Sequence, residues 1–354
     1  MEPRTGGLGA DELALATRNH GMPLEALRHD LTPPGMHYVL THYDVPFIDP
    51  EAWSLTIDGS VGRPATFTLD RLAAMPRRSL PVTLECAGNG RALLQPRPVS
   101  QPWLHEAVGT AQWTGVPLSA ILDEVGLTPD AVELVFIGAD RGVEGGEESD
   151  YERALPVEAA RGGDALLAFE MNGEPLPPAH GFPVRLVMPG WYGMASVKWL
   201  TRIRAVTEPF RGYQNASAYR WREHPDDAGE PLTQMRVRSL LAPPGIPEFF
   251  PRTRRVRAGT VELEGRAWSG EGEIVRVDVS TDDRRTWNEA ELGPPIGTHT
   301  WRPFTFAWNA EPGPAVLGSR ATDASGATQP LEPLWNVGGY ANNAVQRIDV
   351  VVEP

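Results

Sequence analysis

Apolar positions along this chain of 354 residues recur in short bursts rather than in long helical stripes. In WSLTIDG (53 to 59), Trp53, Leu55 and Ile57 alternate with polar neighbours, which is the period of a half-buried strand. PLSAILDEVG (117 to 126) instead spaces its apolar residues as a short helix does, and Gly126 supplies the stop. VELVFIG (132 to 138) and FPVRLVM (182 to 188) are nearly continuous apolar runs and read as buried strands. Strands and short helices therefore mix up to about residue 230, the pattern of an α+β domain.

Beyond residue 230 the texture changes to regularly spaced strands. EIVRVDVSTDDRRTWNEAEL (273 to 292) puts Val275, Val277 and Val279 on one face and Arg276, Asp278 and Ser280 on the other, then turns at Asp282 and Asp283 into a second strand. FTFAW (304 to 308) and RIDVVV (347 to 352) add similar pieces. The expected organisation is a mixed α+β domain over residues 1–230 followed by an antiparallel β-sandwich over residues 231–354, a fold often used for association.

Composition narrows this picture. Thirty-six glycines and 35 prolines favour turns and short elements. The net charge of −14, with an isoelectric point near 5.1, argues against a general nucleic-acid or anionic-membrane binder. No apolar run approaches the roughly 18 residues of a membrane span. The opening MEPRTGGLGADELALATRNHG lacks the apolar core of a secretory signal, so the chain reads as cytoplasmic; a periplasmic protein trimmed of its leader would begin the same way.

The single cysteine excludes an intramolecular disulfide, so packing must hold the fold. In SLPVTLEC, Leu80, Val82, Leu84 and Cys86 share one strand face, and the thiol stands where the strand ends. Ala87-Gly88-Asn89-Gly90 follows as a tight turn with exposed N–H groups, and then comes Arg91. A thiol beside such a turn and a guanidinium has its thiolate favoured, and thiolate is both a nucleophile and a soft metal ligand. A lone cysteine also suits a small buried hydrophobe, and residue types alone leave both readings open.

LECAGNGR resembles the molybdenum-cysteine motif of the sulfite oxidase family of molybdopterin enzymes. Companion segments occur in the family's order over roughly residues 15–353: TRNHGMP (17 to 23), RPVSQPW (97 to 103), AQWTGVPL (111 to 118), MNGEPLPPAHGFPVRLVMPGWYGMASVKWL (171 to 200), AYRW (218 to 221) and RAWSGEGEIVRVDVSTDDRRTW (266 to 287). The resemblance implies a sulfite oxidase fold followed by an immunoglobulin-like dimerisation domain, with a Mo-molybdopterin cofactor and no haem in this chain. It implies that Cys86 is the protein ligand to molybdenum and that His20, His180, Arg185 and Lys198 hold the pterin and its phosphate. Arg18, Arg91, Tyr219 and Trp103 would form the substrate pocket. The implied reaction is oxidation of sulfite to sulfate by oxygen-atom transfer at a molybdenum–oxo centre, with electrons leaving to an external acceptor such as a c-type cytochrome, from a homodimer.

Two departures qualify the resemblance. WNVGGY (335 to 340) places Gly338 where sulfite oxidases carry a further substrate-binding arginine, and Ser100 stands where vertebrate members have lysine. The first removes a charged partner worth roughly 1.5–3 kcal/mol in a desolvated oxyanion site. Two other readings stay open: an oxygen-atom-transfer reductase acting on nitrate or a sulfoxide with the same cofactor, and a non-enzymatic two-domain interaction protein in which Cys86 is structural. Taken alone, each of Arg18, Arg91, His20, His180 and Lys198 would pass for a surface or turn residue, and Trp103 and Trp113 for core. Their joint order carries the assignment.

Overall fold

The computed structural model describes residues 7–354. Among the described residues its first half contains two five-stranded sheets, with a two-stranded ribbon (Arg220–Trp221 with Glu230–Pro231) at its end. One runs in the order Ala65–Thr68, Ser54–Gly59, Leu200–Val206, Glu133–Glu144, Glu147–Pro156, antiparallel except where Ser54–Gly59 and Leu200–Val206 pair in parallel. The other runs Arg78–Glu85, Val108–Pro117, Leu166–Met171, Glu174–Pro175, with Arg185–Val187 also paired to Leu166–Met171. Helix Leu118–Val125 turns its Leu118, Ile121, Leu122 and Val125 into a core shared with Leu55, Ile57, Phe67 and Phe136, and ends at Gly126 in a left-handed conformation, as its sequence predicts.

The second half is a sandwich of a four-stranded sheet (Arg238–Leu241, Gly259–Trp268, Arg302–Ala310, Glu291–Leu292) and a six-stranded one ending in Ile274–Ser280 and Asn288–Glu289. Leu263, Val277, Val279, Phe304, Leu317 and Val350 fill the space between them. The pairing is not wholly antiparallel, because Arg254–Arg257 runs parallel to Ile348–Glu353. The predicted valine face is also corrected. A bulge between Ile274 and Arg276 turns Val275 out to solvent, Ile274 takes the core position, and Asp278 is buried against Arg276.

The two halves are closely joined. Trp268 and Trp301 are buried among Met22, Leu27, Ala87 and Tyr192, and each such aromatic removed from water is worth about 1.5–3 kcal/mol. The outer edge of strand Arg78–Glu85 is covered as well: Thr83 N–H donates to His299 O (2.8 Å), and Trp301 N–H donates to Thr83 Oγ1 (2.8 Å). The strand that ends at the cysteine is thus held by both halves.

Candidate active site

Strand Arg78–Glu85 delivers Cys86 to the lining of a solvent-open cleft of about 620 Å³. Cys86 N–H donates to Ala107 O (2.9 Å), and the sulfur accepts the Gly88 N–H at 3.4 Å. Gly88 has no room for a side chain, since a Cβ there would stand 2.6 Å from Arg91 Nη1. The turn is therefore folded directly onto the guanidinium. Arg91 is itself buried, donating to Gly338 O (2.9 Å) and Gln101 O (3.1 Å). Burial pushes the Cys86 thiol up, while Arg91, the Gly88 N–H and the Trp103 indole favour the thiolate. Trp103 packs beside Cys86 and Tyr38.

The same cleft also carries positive charge. Arg185 opens the short strand Arg185–Val187 and donates to three backbone carbonyls, those of His180 (3.1 Å), Ser196 (2.9 Å) and Leu186 (3.3 Å), with its guanidinium over Trp113. Lys198 Nζ donates to Leu40 O (2.8 Å) and Ala179 O (2.9 Å) rather than facing solvent. Burial lowers both cations, Arg185 to about 10 and Lys198 to about 7. His180 is buried and driven down to about 2 by desolvation and then by His37 and Arg185. Among the described residues Asp140 is the only carboxylate lining the cleft, and burial raises it to about 6 against the pull of Lys198. Two buried cations met mainly by carbonyl groups make a cradle for an anion.

The cleft is also lined by residues that sequence reasoning missed. His37 is buried, its Nδ1 hydrogen donates to Tyr38 O (3.0 Å), and burial keeps the ring neutral at about 4. Its Nε2 is then an acceptor with no donor, and Asp140 Oδ1 is likewise unpartnered. His42 Nε2 is hydrogen-bonded to Tyr219 Oη; burial lowers the histidine to about 3 and raises the phenol well above its usual range, so His42 accepts and Tyr219 donates. Tyr219 itself adopts a left-handed backbone (φ 46°) that a bulky residue rarely takes, a sign that the surroundings fix it. Two histidines and two tyrosines within HYVLTHY (37 to 43) were the available signal.

The structure assembles Cys86, His180, Arg185, Lys198 and Tyr219 around one cleft, with Arg91 and Trp103 packed around the cysteine loop. It does not bring Arg18 there. Arg18 ends helix Ala10–Arg18, is exposed, and is held by Tyr43 O and by Asp44 (3.1 Å). The reason is the chain path: His20 pairs with Val39, and Asn19 Oδ1 accepts the Thr41 N–H, so segment 18–20 forms an outer layer over segment 39–42, which faces the cleft. His20 is exposed in that outer layer. Ser100 is half-buried beside this region. At Gly338 a Cβ would come within 2.2 Å of the Tyr340 ring, which lies 5.0 Å from the Arg91 guanidinium and 5.3 Å from the Tyr219 ring. An aromatic ring closes this side where a cation was expected.

The residues present suit one kind of group. Among the described residues no three His, Cys, Asp or Glu side chains converge as a metal site, so a metal at Cys86 needs ligands brought by a cofactor. The orphaned acceptors at His37 and Asp140 match the N–H groups of a pterin, and Arg185 and Lys198 match a phosphate. Fold and cleft together define a molybdopterin-binding oxidoreductase. The chain belongs to the sulfite oxidase family: residues 42–214 match the oxidoreductase molybdopterin binding domain and residues 230–353 the Mo-co oxidoreductase dimerisation domain. It is 33% identical to human mitochondrial sulfite oxidase over 92% of this chain and 62% of the relative, and 32% identical to soybean inducible nitrate reductase [NADH] 2 over 93% of this chain and 40% of the relative. It therefore spans less than two thirds of either length. The sulfane dehydrogenase SoxCD from Paracoccus pantotrophus superposes with a TM-score of 0.82 at 27% identity, covering 99% of this chain and 93% of that one. No helix among the described residues is long and apolar enough to cross a membrane.

Proposed function

We propose that this protein oxidises a small reduced-sulfur substrate, sulfite first, and passes the electrons to an external acceptor such as a c-type cytochrome. The observation that carries the reading is one cleft lined by the Cys86 thiol together with Arg185, Lys198 and His180. When bound, the cofactor supplies oxygen-atom transfer and two-electron storage at molybdenum. Cys86 would ligate the metal, and Arg91 behind it would favour the thiolate. His180, Arg185 and Lys198, with His37 and Asp140, would hold the pterin and phosphate, and His20 would close the outer side. Tyr219, its O–H held by His42, would line the substrate side of the pocket with its phenol oxygen, and Trp103 would wall the pocket. In this reading residues 1–230 hold the cofactor and residues 231–354 form a homodimer-forming unit, which the separate sandwich core supports.

Tyr340 beside Gly338 favours a second reading, a substrate that presents a polarisable sulfur atom rather than an oxyanion face to this side, such as sulfane sulfur, the substrate class in the name of the structural neighbour. An anaerobic titration of molybdenum-loaded protein with sulfite and then with thiosulfate decides between them by bleaching of the thiolate-to-metal absorption. Bleaching by sulfite supports the first reading, and bleaching by thiosulfate alone supports the second. Bleaching by neither, with reoxidation of dithionite-reduced protein by nitrate, would replace both with a reductase.

A further inference from the structure

Beneath Cys86 lies a buried charged network that the proposed chemistry does not use. Glu85, the residue before the cysteine, and Arg238, from the second half of the chain, form an ion pair (Oε1 to Nη1, 2.8 Å) with both side chains almost completely buried. The remaining Glu85 capacity is taken by Trp268 Nε1 on Oε2 (2.9 Å) and Asn89 Nδ2 on Oε1 (3.0 Å). Arg238 also donates to Asn342 O (3.0 Å) and Asn89 O (3.4 Å), and its Nη2 donates to His105 Nδ1 (2.9 Å), a ring that burial keeps neutral at about 3.

These bonds close on the cysteine loop from every side. Asn89 Oδ1 accepts the Ala107 N–H (3.1 Å), and Ala107 O accepts the Cys86 N–H. Asn342 Nδ2 donates to Gly90 O (2.8 Å), and Ala341 N–H donates to Ala87 O (2.7 Å). Gly90 needs its left-handed backbone (φ 88°), and a Cβ there would meet Asn342 at 2.8 Å. Residues 238, 268, 341 and 342 thus reach across to bond Glu85, Ala87, Asn89 and Gly90, on both sides of Cys86. The Glu85 carboxylate, one residue from the thiol, has Arg238 as its only ion-pair partner among the described residues.

We infer that Arg238 is a positioning residue for the metal-ligand loop: the second half of the chain, beyond any role in association, holds the Cys86 loop in place and neutralises the carboxylate behind it. The inference rests on Cys86 being the metal's protein ligand. Arg238→Gln would leave a buried carboxylate uncompensated beside the sulfur, making the ligand more electron-donating. The double variant Glu85→Gln/Arg238→Gln replaces the pair with two amides able to bond to each other and removes that charge.

The experiment uses molybdenum-loaded full-length protein and reads the thiolate-to-metal absorption band, the Mo(V) paramagnetic signal, the reduction potential, and kcat and KM separately. Arg238→Gln is expected to shift the band, lower the potential and reduce kcat on the order of tenfold or more with KM unchanged, the loss expected of one charge-assisted bond; the double variant returns all four toward wild type. Where Arg238→Gln fails to fold, Trp268→Phe, which removes the bond to Glu85 Oε2 while keeping an aromatic ring in that core position, is expected to shift the band in the same direction by less. Wild-type spectra in a loaded single variant, or a double variant as perturbed as the single one, would overturn the inference. Absence of any thiolate-to-metal band in loaded wild-type protein would instead overturn the ligand assignment on which it rests.

Discussion

The charge on Lys198 opposes folding until an anion meets it. Burial holds the ammonium down to about 7, against 10.5 in the unfolded chain, a difference of about 5 kcal/mol. Below both values the lysine is charged in either state and the penalty is complete. Between them the unfolded chain binds more protons than the native one, so stability rises with pH until the penalty is released. Lys198→Met removes this term and also two hydrogen bonds, to Leu40 O and Ala179 O, worth about 1 kcal/mol each. Cofactor-free Lys198→Met is therefore expected to be more stable than wild type by about 3 kcal/mol near pH 6.5 and less stable by about 1 kcal/mol near pH 10. Asp140 loses the pull of the ammonium in the variant, a loss confined to pH below about 7 where Lys198 is charged, so it trims the gain near pH 6.5 and adds nothing near pH 10. Urea unfolding followed by tryptophan fluorescence at both pH values measures the crossing. A constant difference between the two proteins, or destabilisation at both pH values, would refute the argument that Lys198 is held in an unfavourable charged state for an anionic ligand. In the loaded protein the order reverses, because the variant lacks a phosphate partner and should release pterin faster during gel filtration.

Three further outcomes follow from the same geometry. Cys86→Ser should keep the fold and much of the pterin while losing the thiolate-to-metal absorption and turnover, as pterin fluorescence, metal analysis and a sulfite assay would show; undiminished turnover would falsify the ligand assignment. Gly88→Ala places a Cβ 2.6 Å from Arg91 and should displace that guanidinium; circular dichroism is expected to be unchanged while turnover drops at least about tenfold, the effect of losing one charged hydrogen bond. Arg18→Gln breaks only an exposed pair with Asp44, so KM should stay within about twofold of wild type, and a large rise would return Arg18 to the pocket.

Local pattern accounts for much of the fold. Helix Leu118–Val125 and strand Ser54–Gly59 fall where period and stop signals place them, because each buries one face and that face repeats along the chain, while strand Arg78–Glu85 falls where its alternation places it although Val82, Thr83, Leu84 and Glu85 are buried on both faces. The bulge at Val275 defeats the same logic. One extra residue reverses the alternation, and the letters on either side are valines or isoleucine in any register.

The site divides along the same line. Cys86, Gly88 and Arg91 act through bonds within one turn, so six consecutive residues encode their relation, and His180, Arg185 and Lys198 share one contiguous stretch for the same reason. His37, His42, Asp140 and Tyr340 reach the cleft or its edge only because distant segments stack, and nothing beside them in sequence records that stacking. Arg18 fails for the complementary reason. Its Arg-Asn-His segment runs next to the residues that face the cleft and bonds to them through Asn19 and His20, one layer too far out. The bridge between His20 and Val39 brings the two segments together, so similar residue types in adjacent layers acquire different fates from which layer faces inward. Arg238 extends the point, since its arginine could be any surface residue of a β-sandwich until the packing of the halves sets it behind Cys86. The chemistry of this cleft therefore depends on the joint between the halves as much as on the motif that carries the thiol.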